Sequence, residues 1–154
     1  MESLIITHER NAIYNERVKR LAAEAGQVKK RTHQPAEVLK KFTATIDNPL
    51  CGDQITLNFW LRDDTIVDLE FAIRGCQLAE ASAVAMQRLV VGQQYAEIDR
   101  QIDRLAQFLE QQQPLPTAWE AQLNCFRPVQ QHPGRHDCML LPFLAVQVAQ
   151  PQTG

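Results

Sequence analysis

No lysine follows Lys41 in this chain of 154 residues. That absence excludes lysine Schiff-base chemistry from the body of the protein. The sequence also lacks the Gly-rich segment ending in Gly-Lys-Ser/Thr that cradles phosphates in nucleoside triphosphatases. No apolar run approaches the roughly 20 residues of a membrane helix. The N-terminus lacks an apolar core behind a basic start, so no secretory signal is expected. These absences predict a cytoplasmic protein with neither a membrane nor a nucleic acid as partner. Cysteine is sparse, at four residues. In a reducing compartment such thiols stay free, which turns attention to metal binding or catalysis.

What is present is ordinary for one soluble globular domain. Apolar residues make up 45% and charged residues 22%, and the length suffices to bury a core without staples. Charge is uneven. Residues 1–41 carry nine Lys and Arg against five Asp and Glu, while the remainder carries seven Arg against thirteen acids. The basic third could dock an acidic partner, or it is a solvated helix face with a charged linker. It reads as an N-terminal helix and basic linker, 1–41, ahead of a core, 42–149, and a disordered tail, 150–154.

Along the chain, Asn11 to Ala25 has the apolar spacing of an amphipathic helix that Gly26 stops. A short helix over Pro35 to Lys40 is possible. Three strands follow: Phe42 to Ile46, Gln54 to Leu61 and Thr65 to Ile73. The last two alternate apolar and polar residues about Asp63-Asp64, as an antiparallel hairpin with one buried face does. Gln77 to Val91 is predicted helical and rich in small residues, and Glu97 to Gln111 carries an apolar stripe. Thr117 is read as the cap of a short helix through Leu123. A last helix after Gly134 holds Cys138 and is bent near Pro142. The expected fold is α+β: a small antiparallel three-stranded sheet with helices packed on one face and a site at one edge.

Asn48-Pro49-Leu50-Cys51-Gly52-Asp53 joins the first two strands. Pro49 sets a turn and keeps Asn48 out of a helix. Gly52 lets the backbone pass close to whatever Cys51 binds. Such a loop can aim the Cys51 sulfur and the Asp53 carboxylate at one ion. Gly75-Cys76 follows the third strand, so both cysteines fall near one end of the sheet. Cys76 also opens a helix, whose free N–H groups and dipole favour a thiolate. A buried thiol beside a helix start is the alternative.

Asn48-Pro49-x-Cys51-Gly52-Asp53, then Gly75-Cys76-x-x-Ala79-x-Ala81-Ser82, then Arg135-x-x-Cys138 with Leu140, Leu141 and Phe143 beyond it, resemble the U-type iron–sulfur scaffold family of IscU, SufU and the N-terminal domain of NifU. The resemblance spans about residues 42 to 146 and implies a SufE/NifU-like fold. It implies Cys51, Asp53, Cys76 and Cys138 as ligands of iron, of a transient 2Fe–2S cluster, or of zinc as alternative occupant. Three thiolates with one carboxylate suit tetrahedral zinc or the terminal ligands of such a cluster. Oxygen fits a cluster less well than thiolate, so the cluster would be labile, as a scaffold requires. The implied partners are a cysteine desulfurase, which hands over sulfur as a persulfide, and apo iron–sulfur acceptor proteins. Cys138 is the expected persulfide acceptor, with Cys51 as competitor, and Arg135 stabilises the Cys138 thiolate or serves no site role.

The expected function is non-enzymatic cluster assembly. A zinc-dependent sulfurtransferase is the alternative, and an interaction protein with a structural zinc is a third reading. The interval of 62 residues from Cys76 to Cys138 resembles the SufU branch. Asp137 stands where IscU has His and SufU commonly has Lys. His136 and Asp137 are secondary candidates for ligation, and Cys125 is expected to be a plain thiol. The Pro-Arg-Asn segment common after the family's first helix is absent, although Tyr14 is present.

Overall fold

The computed structural model describes residues 12–26 and 39–152. Helix α1, Glu16–Ala25, precedes strands β1, Lys40–Asn48, β2, Asp53–Arg62, and β3, Thr65–Arg74. Helices α2, Gln77–Val90, and α3, Tyr95–Gln111, follow. A run of short turns, Thr117–Trp119, α4 at Glu120–Leu123, Asn124–Gln131 and Pro133–Arg135, leads into α5, His136–Val148. The chain closes with β4, Gln150–Pro151. Asn11 and residues 35–38 lie outside the described residues. Among the described residues Ala12 and Ile13 are helical, the chain breaks at Tyr14-Asn15, and α1 follows with Asn15 as its cap, the Asn15 Oδ1 accepting the Val18 N–H at 3.1 Å.

The sheet is antiparallel with strand order β3-β2-β1-β4. It has four strands, not three. Gln150 pairs with Thr43 and Pro151 with Phe42, and the Gln152 N–H reaches the Lys41 carbonyl at 2.8 Å. The expected tail from Gln150 is therefore, through Pro151, an edge strand. Proline is tolerated there because an edge position needs no further N–H donor. Lys40, expected in a short helix, instead opens β1.

Alternation decides which face is buried. Ile55, Leu57, Phe59 and Leu61 of β2 all face the core, while Thr56 is exposed and pairs with Thr45 through their hydroxyls at 3.1 Å. The β2–β3 hairpin turns on Asp63 and Asp64, with φ of 49° and 65°. Two successive left-handed residues match the right-handed twist of the strands they join. Phe42, Phe59 and Tyr95 stack across β1, β2 and the start of α3, with the first two centroids 5.1 Å apart. That contact begins α3 two residues before the expected Glu97.

Helix α5 lies against β1, β2, α2 and α3. Being enclosed, it is apolar almost all round: Cys138 to Phe143, Ala145 and Val146 are buried. Burial of each large side chain contributes roughly 1.5–3 kcal/mol. Ala79, Ala81, Ser82, Ala83 and Ala85 of α2 are fully buried; their small size lets α2 sit close to α1, α5 and β3. Thr117 lies inside a short 3-10 turn and makes no capping bond there, Pro116 preceding it instead.

Candidate metal centre

The loop between β1 and β2 is built by Asn48. Its carbonyl accepts the N–H groups of Cys51 at 3.2 Å and Gly52 at 2.8 Å, and its Oδ1 accepts the Leu50 N–H at 3.2 Å. Gly52 adopts φ 74°, a conformation that carries little penalty only for glycine. The loop therefore projects Cys51 into solvent and returns the chain to β2 at Asp53, which is 1% exposed.

Asp53 is bound to the start of α2. Its Oδ1 accepts the Cys76 N–H at 2.9 Å, and its Oδ2 lies 3.8 Å from the Cys76 sulfur. Gly75 permits this approach: a Cβ there would stand 2.8 Å from the Asp53 carboxyl carbon and 3.0 Å from its Cβ. Cys76 caps α2, its Sγ accepting the Ala79 N–H at 3.4 Å. Cys138, on the first turns of α5, is fully buried, and its sulfur lies 3.5 Å from that of Cys51.

One ligand atom from each of Cys51, Asp53 and Cys138 falls within 4.8 Å of the others. The Cys76 sulfur stands beside this group, 3.8 Å from the Asp53 Oδ2. The structure thus groups three of the four residues expected to be ligands, and Cys76 borders them through Asp53. A tetrahedral ion with sulfur ligands at about 2.3 Å separates those sulfurs by about 3.8 Å. The Cys51–Cys138 distance of 3.5 Å is close to that value, so the donor set and its spacing fit a thiophilic ion or cluster.

The thiols share their protons unequally. The neighbouring Cys138 thiol brings Cys76 down to about 7, against the effect of burial and with help from the Ala79 N–H. Cys138 is pushed up by the neighbouring Cys76, by burial and by its contact with Cys51. The first negative charge therefore rests on Cys76, at the positive end of α2.

Two further residues border the site. The Arg135 guanidinium lies 5.8 Å above the Tyr14 ring. Burial opposes its charge, but Tyr14 and a hydrogen bond to Cys138 outweigh that and raise its pKa. Tyr14 is raised by burial, partly offset by Arg135, and also feels Cys76, Cys138 and Asp53. Asn15 explains how the N-terminal segment reaches so far: its Nδ2 donates to the Cys125 carbonyl at 2.9 Å. The sequence reading missed Tyr14 as a site residue. Its position directly before a helix cap was the available signal.

The secondary candidates lie elsewhere. His136 is buried, with Nε2 3.2 Å from the Gln130 carbonyl oxygen. Asp137 is exposed in the first turn of α5, where the helix dipole favours a carboxylate. Cys125 is half-buried, and burial raises its thiol.

These differences set an order of thiol reactivity in metal-free protein. With iodoacetamide near neutral pH, Cys51 and Cys76 are expected to react first and Cys138 last. The Cys76 rate should rise with pH around a midpoint of about 7, because the thiolate is the nucleophile. Peptide mass spectrometry at successive times reads this. Equal rates at Cys51 and Cys138 would contradict the buried position of Cys138.

Comparison with known proteins supplies the family. Residues 20–139 match the family model of the NifU-like N terminal domain, and the chain belongs to that family. It is 27% identical over 120 residues to the iron–sulfur cluster assembly scaffold protein IscU of Streptococcus pyogenes serotype M1, covering 78% of this chain and 76% of that protein. The IscU scaffold protein of Thermotoga maritima is 25% identical over 119 residues, covering 71% and 83%. A NifU-like protein (N-terminal) from Brucella abortus superposes with a TM-score of 0.76 at 28% identity, covering 90% of this chain and 92% of that one. A putative scaffold protein for the SUF system from Fervidobacterium islandicum AW-1 gives 0.71 at 25%, covering 90% and 97%. The expected α+β, NifU-like fold is thereby shown. Among the described residues no helix is long and apolar enough to cross a membrane.

Proposed function

We propose that this protein assembles an iron–sulfur cluster on Cys51, Asp53, Cys76 and Cys138 and passes it to apo acceptor proteins. The observation that carries this reading is the convergence of the Asp53 carboxylate with the Cys51 and Cys138 thiols, from segments 87 residues apart, with the Cys76 thiol against the same carboxylate. Membership of a family whose relatives are named as assembly scaffolds supports it. Iron and sulfide are the cargo. The oxygen of Asp53 is the weakest donor of the set, which suits release.

Sulfur reaches the site from the persulfide of a cysteine desulfurase. A thiolate attacks the outer sulfur, a new S–S bond forms, the donor's S–S bond breaks, and the donor leaves as a thiolate. Cys138 is the assigned acceptor. Its proton passes to the Cys76 thiolate as the new bond forms, and Arg135 stabilises the charge on its sulfur. Cys51 is the competitor, since it is exposed and 3.5 Å away.

A zinc-dependent sulfurtransferase is the second reading, favoured by the SufU-like interval of 62 residues between Cys76 and Cys138. One experiment separates the two. Anaerobic reconstitution with iron, cysteine and a desulfurase is expected to give a visible cluster spectrum that moves to an apo-ferredoxin. Zinc on the same residues, with persulfide on Cys138 and no cluster, would replace assembly by sulfur transfer. Neither cluster nor persulfide would leave only an interaction protein with a structural zinc.

A further inference from the structure

Ser82 has no part in the assignment above, yet it is the one hydroxyl on the inner, alanine-rich face of α2. It is fully buried, and its Oγ donates to the Met139 carbonyl of α5 at 2.5 Å. Alanine would pack there as well as its neighbours Ala79, Ala81, Ala83 and Ala85 do, and it has the higher helix propensity. A buried hydroxyl is costly to desolvate unless it is bonded, so the bond is the reason for serine at this position.

The bond joins two helices that each carry a site cysteine. Cys76 caps α2, and Met139 directly follows Cys138 on α5. The turn holding Cys138 also lacks a normal constraint. Pro142 has no N–H, so the Cys138 carbonyl loses its donor four residues on. A helix weakened there is free to shift its first turn unless another group holds it. Ser82 grips the very next carbonyl.

We propose that Ser82 is a positioning residue: its bond to the Met139 carbonyl fixes the Cys138 sulfur against that of Cys51. The inference rests on the ligand set proposed above for its metal readout, but not for its second one. The first readout is Co(II) titration, followed by the thiolate-to-Co(II) absorption band and by competition with a chelator. Ser82→Ala is expected to weaken binding about tenfold, the lower end for loss of an outer-shell partner, and to alter the band. Ser82→Thr, which keeps the hydroxyl, should restore both. Leu89→Ala, a cavity on the same helix, should lower the melting temperature and leave the band unchanged. The second readout needs no metal: diamide, which takes up the two thiol hydrogens, links Cys51 to Cys138 in apo-protein, and Ser82→Ala should slow that reaction.

An unchanged band and an unchanged disulfide rate in Ser82→Ala would overturn the proposal. So would an equal loss of Co(II) affinity in Leu89→Ala, which would reduce Ser82 to general stability. If the parent protein binds no Co(II), the ligand set fails, while a slower disulfide in Ser82→Ala still upholds the positioning role.

Discussion

Replacing Cys138 by serine is expected to abolish tight Zn(II) or Co(II) binding, whereas Cys125→Ser leaves it unchanged. Both side chains are thiols, and the two sit 13 residues apart, so composition does not separate them. Their surroundings do. The Cys138 sulfur stands 3.5 Å from that of Cys51 and within 4.8 Å of an Asp53 carboxylate oxygen. Among the described residues the Cys125 sulfur is bonded to the Gln122 carbonyl, at 4.0 Å, and to no thiol or carboxylate. Serine is a poor ligand for a thiophilic ion, so the loss should exceed the roughly 10–100-fold attached to an outer-shell partner. Chelator competition measures it. Apo-protein melting supplies the control, because a hydroxyl at this buried position costs at most about 1–3 kcal/mol if unpaired. Affinity within about threefold of the parent, a difference of well under 1.4 kcal/mol, would make Cys138 a packing residue.

How much of this was legible in the sequence varies with the range of the interaction. β2 and β3 announce themselves by period-two alternation, because each has one face on the core. β4 does not: two residues cannot display a period, and its pairing with Phe42 and Thr43 is made more than 100 residues away. Cys51, Asp53 and Cys76 stood out because each lies beside a glycine in a turn or at a helix start, whereas Cys138 was carried by the resemblance of Arg135-x-x-Cys138 to the family's motif. Tyr14 did not stand out, since its place at the site depends on Asn15 reaching the Cys125 carbonyl across 110 residues. Ser82 was visible as part of a small-residue run, but its partner is a backbone carbonyl, which leaves no mark in any side-chain pattern. His136 was open as a ligand in sequence. In the structure its Nε2 meets the Gln130 carbonyl, and it does not join the group of Cys51, Asp53 and Cys138.

Gly75→Ala is the second substitution with a large expected effect, and an exposed glycine makes it counter-intuitive. Gly75 is solvent-exposed and does not occupy the left-handed region. At such a site alanine ordinarily stabilises by about 0.4–1 kcal/mol, by restricting the unfolded chain. Here the new methyl would lie 2.8 Å from the Asp53 carboxyl carbon and 3.0 Å from its Cβ. Asp53 has little freedom to yield, being 1% exposed and bonded to the Cys76 N–H. Moving it breaks that bond and withdraws the only oxygen from the ligand set. Overpacking of this kind costs about 1–3 kcal/mol, so apo-protein should melt at lower temperature and metal affinity should fall more than about tenfold. The test is a double-mutant cycle with Asp53→Ala. Once the carboxylate is gone, Gly75→Ala should cost nothing or stabilise, giving a coupling of at least about 1 kcal/mol. Equal costs in both backgrounds would show that the methyl meets something other than Asp53, and that Gly75 serves the backbone and not the ligand.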